Sequence, residues 1–233
     1  MSLPKVDSPT YLVQLTSLDK KIKYRPYTIG EEKVLLMATE SESSDDVLDA
    51  TVNICQACVL DDIDIQDLPL FDLEKLLIAI RSKSVGETVE VLATCPFCEE
   101  KTQVNVDIQN IVTDDREKPT KKIMLSDKVG ISLEYPSIRS STSRSFIHTM
   151  NITEAIRCCI TQVFNETEVF SFSDEPEEEQ TEFIESLSAE HLNTITNEFF
   201  DKMPINVIDM DYTCPHCEKK VERRFENLLD FFI

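Results

Sequence analysis

The sequence predicts an α+β protein built of two pseudo-repeats, and three observations lead there. A short cysteine phrase occurs twice, as Thr94-Cys95-Pro96-Phe97-Cys98-Glu99-Glu100-Lys101 and as Thr213-Cys214-Pro215-His216-Cys217-Glu218-Lys219-Lys220. Each copy lies between strand-like flanks and so reads as the turn of a β-hairpin. A strand, a polar turn and a second strand ending at proline also recur: Leu12-Val13-Gln14-Leu15, Asp19-Lys20 and Lys21 to Pro26 match Lys122-Ile123-Met124-Leu125, Asp127-Lys128 and Gly130 to Pro136 in pattern. Between these strands and the cysteine phrase, both halves place apolar residues at helical spacing. Each repeat is therefore a β-hairpin, helices and a cysteine hairpin, over about 12–112 and 123–233. As domains, 1–112 is the first repeat, 113–122 a linker and 123–233 the second repeat.

In the first repeat, Thr28-Ile29-Gly30-Glu31 has capping-box spacing, so a helix starts there and turns Val34, Leu35 and Ala38 inward. Ser41 to Asp46 is a polar break. A second helix follows, with Val47, Thr51, Cys55, Cys58 and Val59 on one face. Asp61 to Asp67 lacks the central glycine and distal glutamate of a calcium loop, which leaves an acidic turn. The next helix, Leu70 to about Arg81, packs Leu73, Leu76, Leu77 and Ile80, and Ser82 to Glu87 turns into a strand from Thr88 to Leu92. Ile111 to Thr120 is polar and charged, as a linker should be. In the second repeat, Ile152, Ile156, Cys159, Ile160 and Val163 form a helical stripe. An insertion, Ser171 to Gln180, carries Glu177-Glu178-Glu179, a solvated helix start favoured by the dipole. Leu192, Ile195 and Phe199 then share an apolar face, and Met203-Pro204 stops the helix.

The cysteine phrases carry the chemistry. Two thiolates separated by two residues bite one metal, and a second such pair completes a tetrahedron. Repeats related by a pseudo-twofold axis would bring the two hairpins together. Cys95, Cys98, Cys214 and Cys217 are thus the predicted ligands of one zinc that joins the repeats. Cys55 and Cys58 have the same spacing, but they sit in an apolar helical stripe without turn residues and read as small buried hydrophobes. Cys158 and Cys159 are adjacent and cannot form that bite, and His216, between two knuckle cysteines, is expected to point away from the metal. Met1 to Asp7 shows no hydrophobic signal region, so the thiols are expected to be reduced. No apolar run approaches the roughly 20 residues that span a bilayer, so membrane insertion is not expected.

The chain has 23 basic and 44 acidic residues, a net charge of −21. Phosphates would repel such a surface, which argues against nucleic acid as partner and for zinc as a staple. The acidity serves solubility or a basic protein partner. Only Gly30, Gly86 and Gly130 are present, leaving no phosphate-cradling loop, and His148, His191 and His216 form no catalytic pattern. A four-cysteine zinc has no open position, so no enzyme is expected.

Lys21-Ile22-Lys23-Tyr24-Arg25-Pro26-Tyr27-Thr28, then Glu31 to Ala38, Leu68-Pro69-Leu70-Phe71-Asp72-Leu73-Glu74-Lys75-Leu76 and Arg81-Ser82-Lys83-Ser84-Val85-Gly86-Glu87 resemble the baseplate hub subunit family of T4-like contractile-tailed phages. The likeness covers most of the first repeat and runs more weakly to Phe231-Phe232, with 81–87 its most specific element. It implies a non-enzymatic hub component or assembly factor, a chaperone or scaffold binding hub and other tail proteins in the host cytoplasm during baseplate construction or kept in the virion baseplate. Within the most specific phrase, Arg81, Lys83 and Glu87 are the expected partner-binding residues, because a core alone does not demand a polar turn. The alternative is that Gly86 supplies a positive φ and Arg81 caps the preceding helix. A different function, a zinc-ribbon regulator acting on nucleic-acid processes, rests on the knuckles alone.

Overall fold

The computed structural model describes residues 7–41, 43–114, 117–140 and 152–226. It divides into two compact units, the first running to Asp114 and resuming at Ile205, the second covering Asp115–Pro204.

The first unit opens on an antiparallel hairpin, β1 (Tyr11–Gln14) and β2 (Lys21–Tyr24). Alternation sends Ile22 and Tyr24 into the core and leaves Lys21 and Lys23 outside. The turn after β1 is held by the buried carboxylate of Asp72, which accepts from the Thr16 N–H at 2.7 Å and the Ser17 N–H at 2.8 Å. Helix α1 (Ile29–Glu40) begins with the expected capping box at Thr28 and Glu31. Its inward face differs from expectation. Val34 is 51% exposed, Leu35 and Ala38 are only half-buried, and no α1 residue is buried. The reason is one-sided support, since α1 rests mainly against α2 (Ser44–Cys58). That second helix buries Val47, Thr51, Cys55 and Cys58, the stripe its spacing predicts, and Val59 then bridges Tyr24. In the acidic turn, Asp61 accepts from the Lys23 N–H and Asp64 from the Gln66 N–H, so these carboxylates serve backbone donors.

Helix α3 (Leu70–Ser84) is the centre of this unit, with Phe71, Leu73, Leu76, Leu77, Ile78 and Ile80 all buried. It outruns the expected end at Arg81, and the Ser82 and Ser84 hydroxyls donate back to the Ala79 and Ile80 carbonyls in its last turns. Strands β3 (Thr88–Thr94) and β4 (Lys101–Asp107) form the first cysteine hairpin, and β5 (Val112–Asp114) follows. The chain returns at β10 (Ile205–Thr213) and β11 (Lys220–Phe225), giving a three-stranded sheet ordered β11-β10-β5. A buried polar joint fixes this return: Asn206 donates to the Phe71 carbonyl and to Glu74 at 3.0 Å, and accepts from the Thr113 hydroxyl at 3.0 Å. Val89, Val106, Ile208 and Met210 close an apolar cluster around Ile78. The expected linker 113–122 therefore starts inside a paired strand, because Thr113 and Asp114 face β10. The compact units also divide the chain differently from the two sequence repeats. The last hairpin of the second repeat is part of the first unit.

The second unit carries a four-stranded antiparallel sheet, β6 (Lys122–Met124), β7 (Gly130–Leu133), β8 (Ile160–Phe164) and β9 (Val169–Ser171), in that order. Helices α4 (Ile152–Cys159), α5 (Glu177–Glu185) and α6 (Ala189–Glu198) accompany it. Ile131, Leu133, Ile156, Cys159, Ile184, Ile195 and Phe199 form its core. The helical stripe expected to reach Val163 stops at Cys159. Ile160 and Val163 lie in β8 opposite Leu133 and Ile131, where pairing and β-branched side chains override helical periodicity. Glu177, Glu178 and Glu179 occupy the first turn of α5, where the insertion was expected to start a helix. Helix α6 ends at Glu198, before Pro204, and the 3-10 turn Phe200–Lys202 fills the interval. Among the described residues, no helix is long and apolar enough to cross a membrane.

Candidate metal centre

Cys95 and Cys98 sit in the turn between β3 and β4, Cys214 and Cys217 in the turn between β10 and β11. Both turns have one hydrogen-bond pattern. The Glu99 N–H donates to the Cys95 carbonyl at 2.9 Å and the Cys95 N–H to the Glu100 carbonyl at 2.9 Å; Glu218 and Cys214, then Cys214 and Lys219, repeat these bonds at 2.9 and 3.0 Å. Glu99 (φ 62°) and Glu218 (φ 59°) take the left-handed conformation that lets the chain reverse after the second cysteine. The two copies of the cysteine phrase thus build the same loop.

The four sulfurs lie within 4.8 Å of one another. Cys95 Sγ is 3.7 Å from Cys217 Sγ, and Cys98 Sγ is 3.7 Å from Cys214 Sγ. A disulfide would need about 2.05 Å. A tetrahedral zinc with Zn–S bonds of about 2.3 Å has S–S edges of about 3.8 Å, so the spacing fits a tetrahedral thiolate site. Cys95 and Cys214 are buried, Cys98 and Cys217 half-buried, and Val221 and Tyr212 pack beside them. Burial pushes the Cys95 thiol up, but the N–H groups of Phe97 and Cys98 outweigh it and bring Cys95 down to about 7. At Cys214 burial is likewise outweighed by the His216 and Cys217 N–H groups. At Cys98 and Cys217 the Glu100 and Lys219 N–H groups lower the thiols, but burial and the neighbouring cysteine sulfurs outweigh them and both shift up. Cys95 and Cys214 are therefore the pair most readily held as thiolates, the form that binds metal.

Other predicted positions fall elsewhere. His216 is exposed and outside the group of four. Cys55 and Cys58 are buried in α2; burial raises both thiols, Cys58 to about 11, and the Arg25 guanidinium lies 3.7 Å from Cys58 Sγ. Cys159 is buried in the second unit, where burial raises its thiol. At the 81–87 turn, Arg81 reaches the Gly86 carbonyl at 3.5 Å, and Lys83 pairs with Glu87 at 2.6 Å while lying over the Tyr11 ring. Gly86 has φ 151°, which favours glycine. Three of the four basic residues beside the second knuckle have acidic or aromatic neighbours: Lys220 faces Glu222 and Asp211, Arg224 pairs with Asp114, and Lys219 lies over the Phe97 ring.

Sequence reasoning missed an apolar cavity of about 240 Å³ in the second unit, bounded by β8, β9 and α5. Its one sequence signal was the insertion 171–180, which supplies much of its wall.

No curated protein and no solved structure shows significant similarity to this chain. The family described as T4 bacteriophage base plate protein matches residues 8–233, nearly the whole chain. With both cysteine hairpins and both units inside that match, the chain belongs to the T4 bacteriophage base plate protein family.

Proposed function

We propose that this chain is a non-enzymatic, zinc-stapled component or assembly factor of the baseplate hub, acting as chaperone or scaffold for hub and other tail proteins. The family match carries the baseplate role. The 3.7 Å sulfur spacing supports zinc at Cys95, Cys98, Cys214 and Cys217, with all four positions taken by protein and none left for a substrate. The work is done in the host cytoplasm during assembly or in the virion baseplate. Arg81, Lys83 and Glu87 form the partner surface in this reading.

The same reading treats the chain as a duplication. In the first half, Val59 follows α2 and bridges Tyr24; in the second, Ile160 follows α4 and pairs with Leu133. The 3-10 turns Ile65–Asp67 and Phe172–Asp174 each lead, one residue later, to a proline, Pro69 or Pro176, that opens a helix.

The test is infection with a phage lacking the chain. Baseplates should fail at the hub and recover when the wild-type chain is supplied from a plasmid. Normal hubs in its absence would refute the role.

A further inference from the structure

The cavity in the second unit combines aromatic and acidic side chains. Val163, Phe170, Phe172 and Phe183 supply an apolar wall, and Glu175 and Glu179 stand on its rim. Phe172 is buried and meets Phe183 edge-on, with ring centroids 6.0 Å apart, so two of the rings are fixed by packing. Phe170, by contrast, is 41% exposed. The Gln180 amide donates to the Glu175 carbonyl at 2.9 Å and fixes the start of α5 beside the opening. Among the described residues, the ion pairs of this unit join Lys121 to Glu134, Arg157 to Glu154 and Glu177, and Lys202 to Glu198, and neither rim carboxylate takes part in them.

Size narrows the ligand. Small-molecule sites run from roughly 300 to 1,000 Å³, and this cavity is smaller, on the scale of one long side chain. Charge narrows it further. Aromatic faces attract a cation, and two carboxylates at the mouth add to that attraction. Arginine matches best, because its flat guanidinium stacks on a ring and pairs with a carboxylate through two N–H groups. Position gives the backbone its course: β9 is the edge strand of the β6-β7-β8-β9 sheet, and Val169 and Phe170 are exposed along it. An extended peptide can add to such an edge and drop one side chain into the adjoining pocket.

We propose that this cavity is a docking site for an arginine carried on an extended segment of a partner protein. That the partner is a baseplate protein rests on the function proposed above; the chemistry of the pocket does not.

The probes are two peptides blocked at both ends, Val-Thr-Arg-Thr-Val and Val-Thr-Glu-Thr-Val, titrated into the full chain and followed by NMR shifts of ring protons. The arginine peptide should saturate with the largest shifts at Phe170 and Phe183, and the glutamate peptide should bind at least tenfold more weakly. Glu175→Gln combined with Glu179→Gln should weaken the arginine peptide about tenfold while leaving circular dichroism unchanged. Phe170→Ser gives a second disruption that leaves both carboxylates in place. Equal binding of the two peptides, shifts confined to other surfaces, or no saturation would overturn the site. Because no tail protein enters this experiment, its failure leaves the baseplate role standing, and failure of the infection test leaves the pocket standing.

Discussion

The Arg25 guanidinium and the Glu31 carboxylate meet at 2.7 Å and join three elements at one point. Glu31 also closes the cap of α1 through the Thr28 N–H, while Arg25 donates to the Ala57 carbonyl near the end of α2. The Arg25 hydrogen bond holds the Glu31 carboxyl down to about 2, against an ordinary value of 4.5. Its folded pKa is depressed, so its stabilisation is full above about 4.5 and disappears as pH falls toward 2. Glu31→Gln should cost about 1–2 kcal/mol at pH 7. Urea melts should show the gap from wild type closing between pH 4.5 and 2; a gap constant with pH would separate the cap from the ion pair.

Purified protein should contain one zinc per chain. Structural zinc contributes on the order of 10–16 kcal/mol in small peptides, so Cys95→Ser or chelator treatment should lower Tm clearly. Elemental analysis reads the metal and calorimetry the Tm. Full-length protein free of metal and unaffected by chelator would remove zinc from the account.

Duplex DNA should not bind at physiological salt. The net charge is −21, and in the cluster Lys219, Lys220, Arg223 and Arg224 three members are already engaged, Lys219 with Phe97, Lys220 with Glu222 and Asp211, and Arg224 with Asp114. Sub-micromolar binding with a steep salt slope in an anisotropy titration would point to a nucleic-acid function instead.

Arg81→Ala combined with Lys83→Ala should cost about 1 kcal/mol, because both residues are half-buried, Lys83 pairs with Glu87 and lies over the Tyr11 ring, and Arg81 reaches the Gly86 carbonyl. If the turn binds a hub protein, that double variant should fold and hold zinc yet fail to restore phage yield. Restored yield would place the partner surface elsewhere. Gly86→Ala is the contrasting change. It meets no atom within 4 Å, so its cost, about 1–3 kcal/mol, comes from the backbone at φ 151° and should appear in the melt.

Local chemistry was legible in the sequence. The Thr28 capping box, the α2 stripe through Cys55 and Cys58 and the buried face of α3 depend on spacing alone. The four cysteines were legible because the same two-residue spacing occurs twice, and the four sulfurs do lie together. What was hidden depends on distant partners. Ile160 and Val163 read as helix because nothing local reveals that β7 is waiting to pair with them. Val34 reads as core because spacing tells which residues share a face and not how much protein will cover it. The return of β10 to Thr113 rests on Asn206, a single polar residue without a motif.

That return has a bearing on synthesis. Cys98 and Cys214 are 116 positions apart, with the whole second unit translated between them. At about 5–20 residues per second, a ribosome needs roughly 6–23 s to cover that distance. During this interval the nascent first unit holds two of the four thiols and lacks β10 at the side of α3. A ribosome that stalls before Ile205 releases a chain unable to close the four-sulfur cluster. Assembly of the four-sulfur cluster is therefore a late event that requires both knuckles to have been translated.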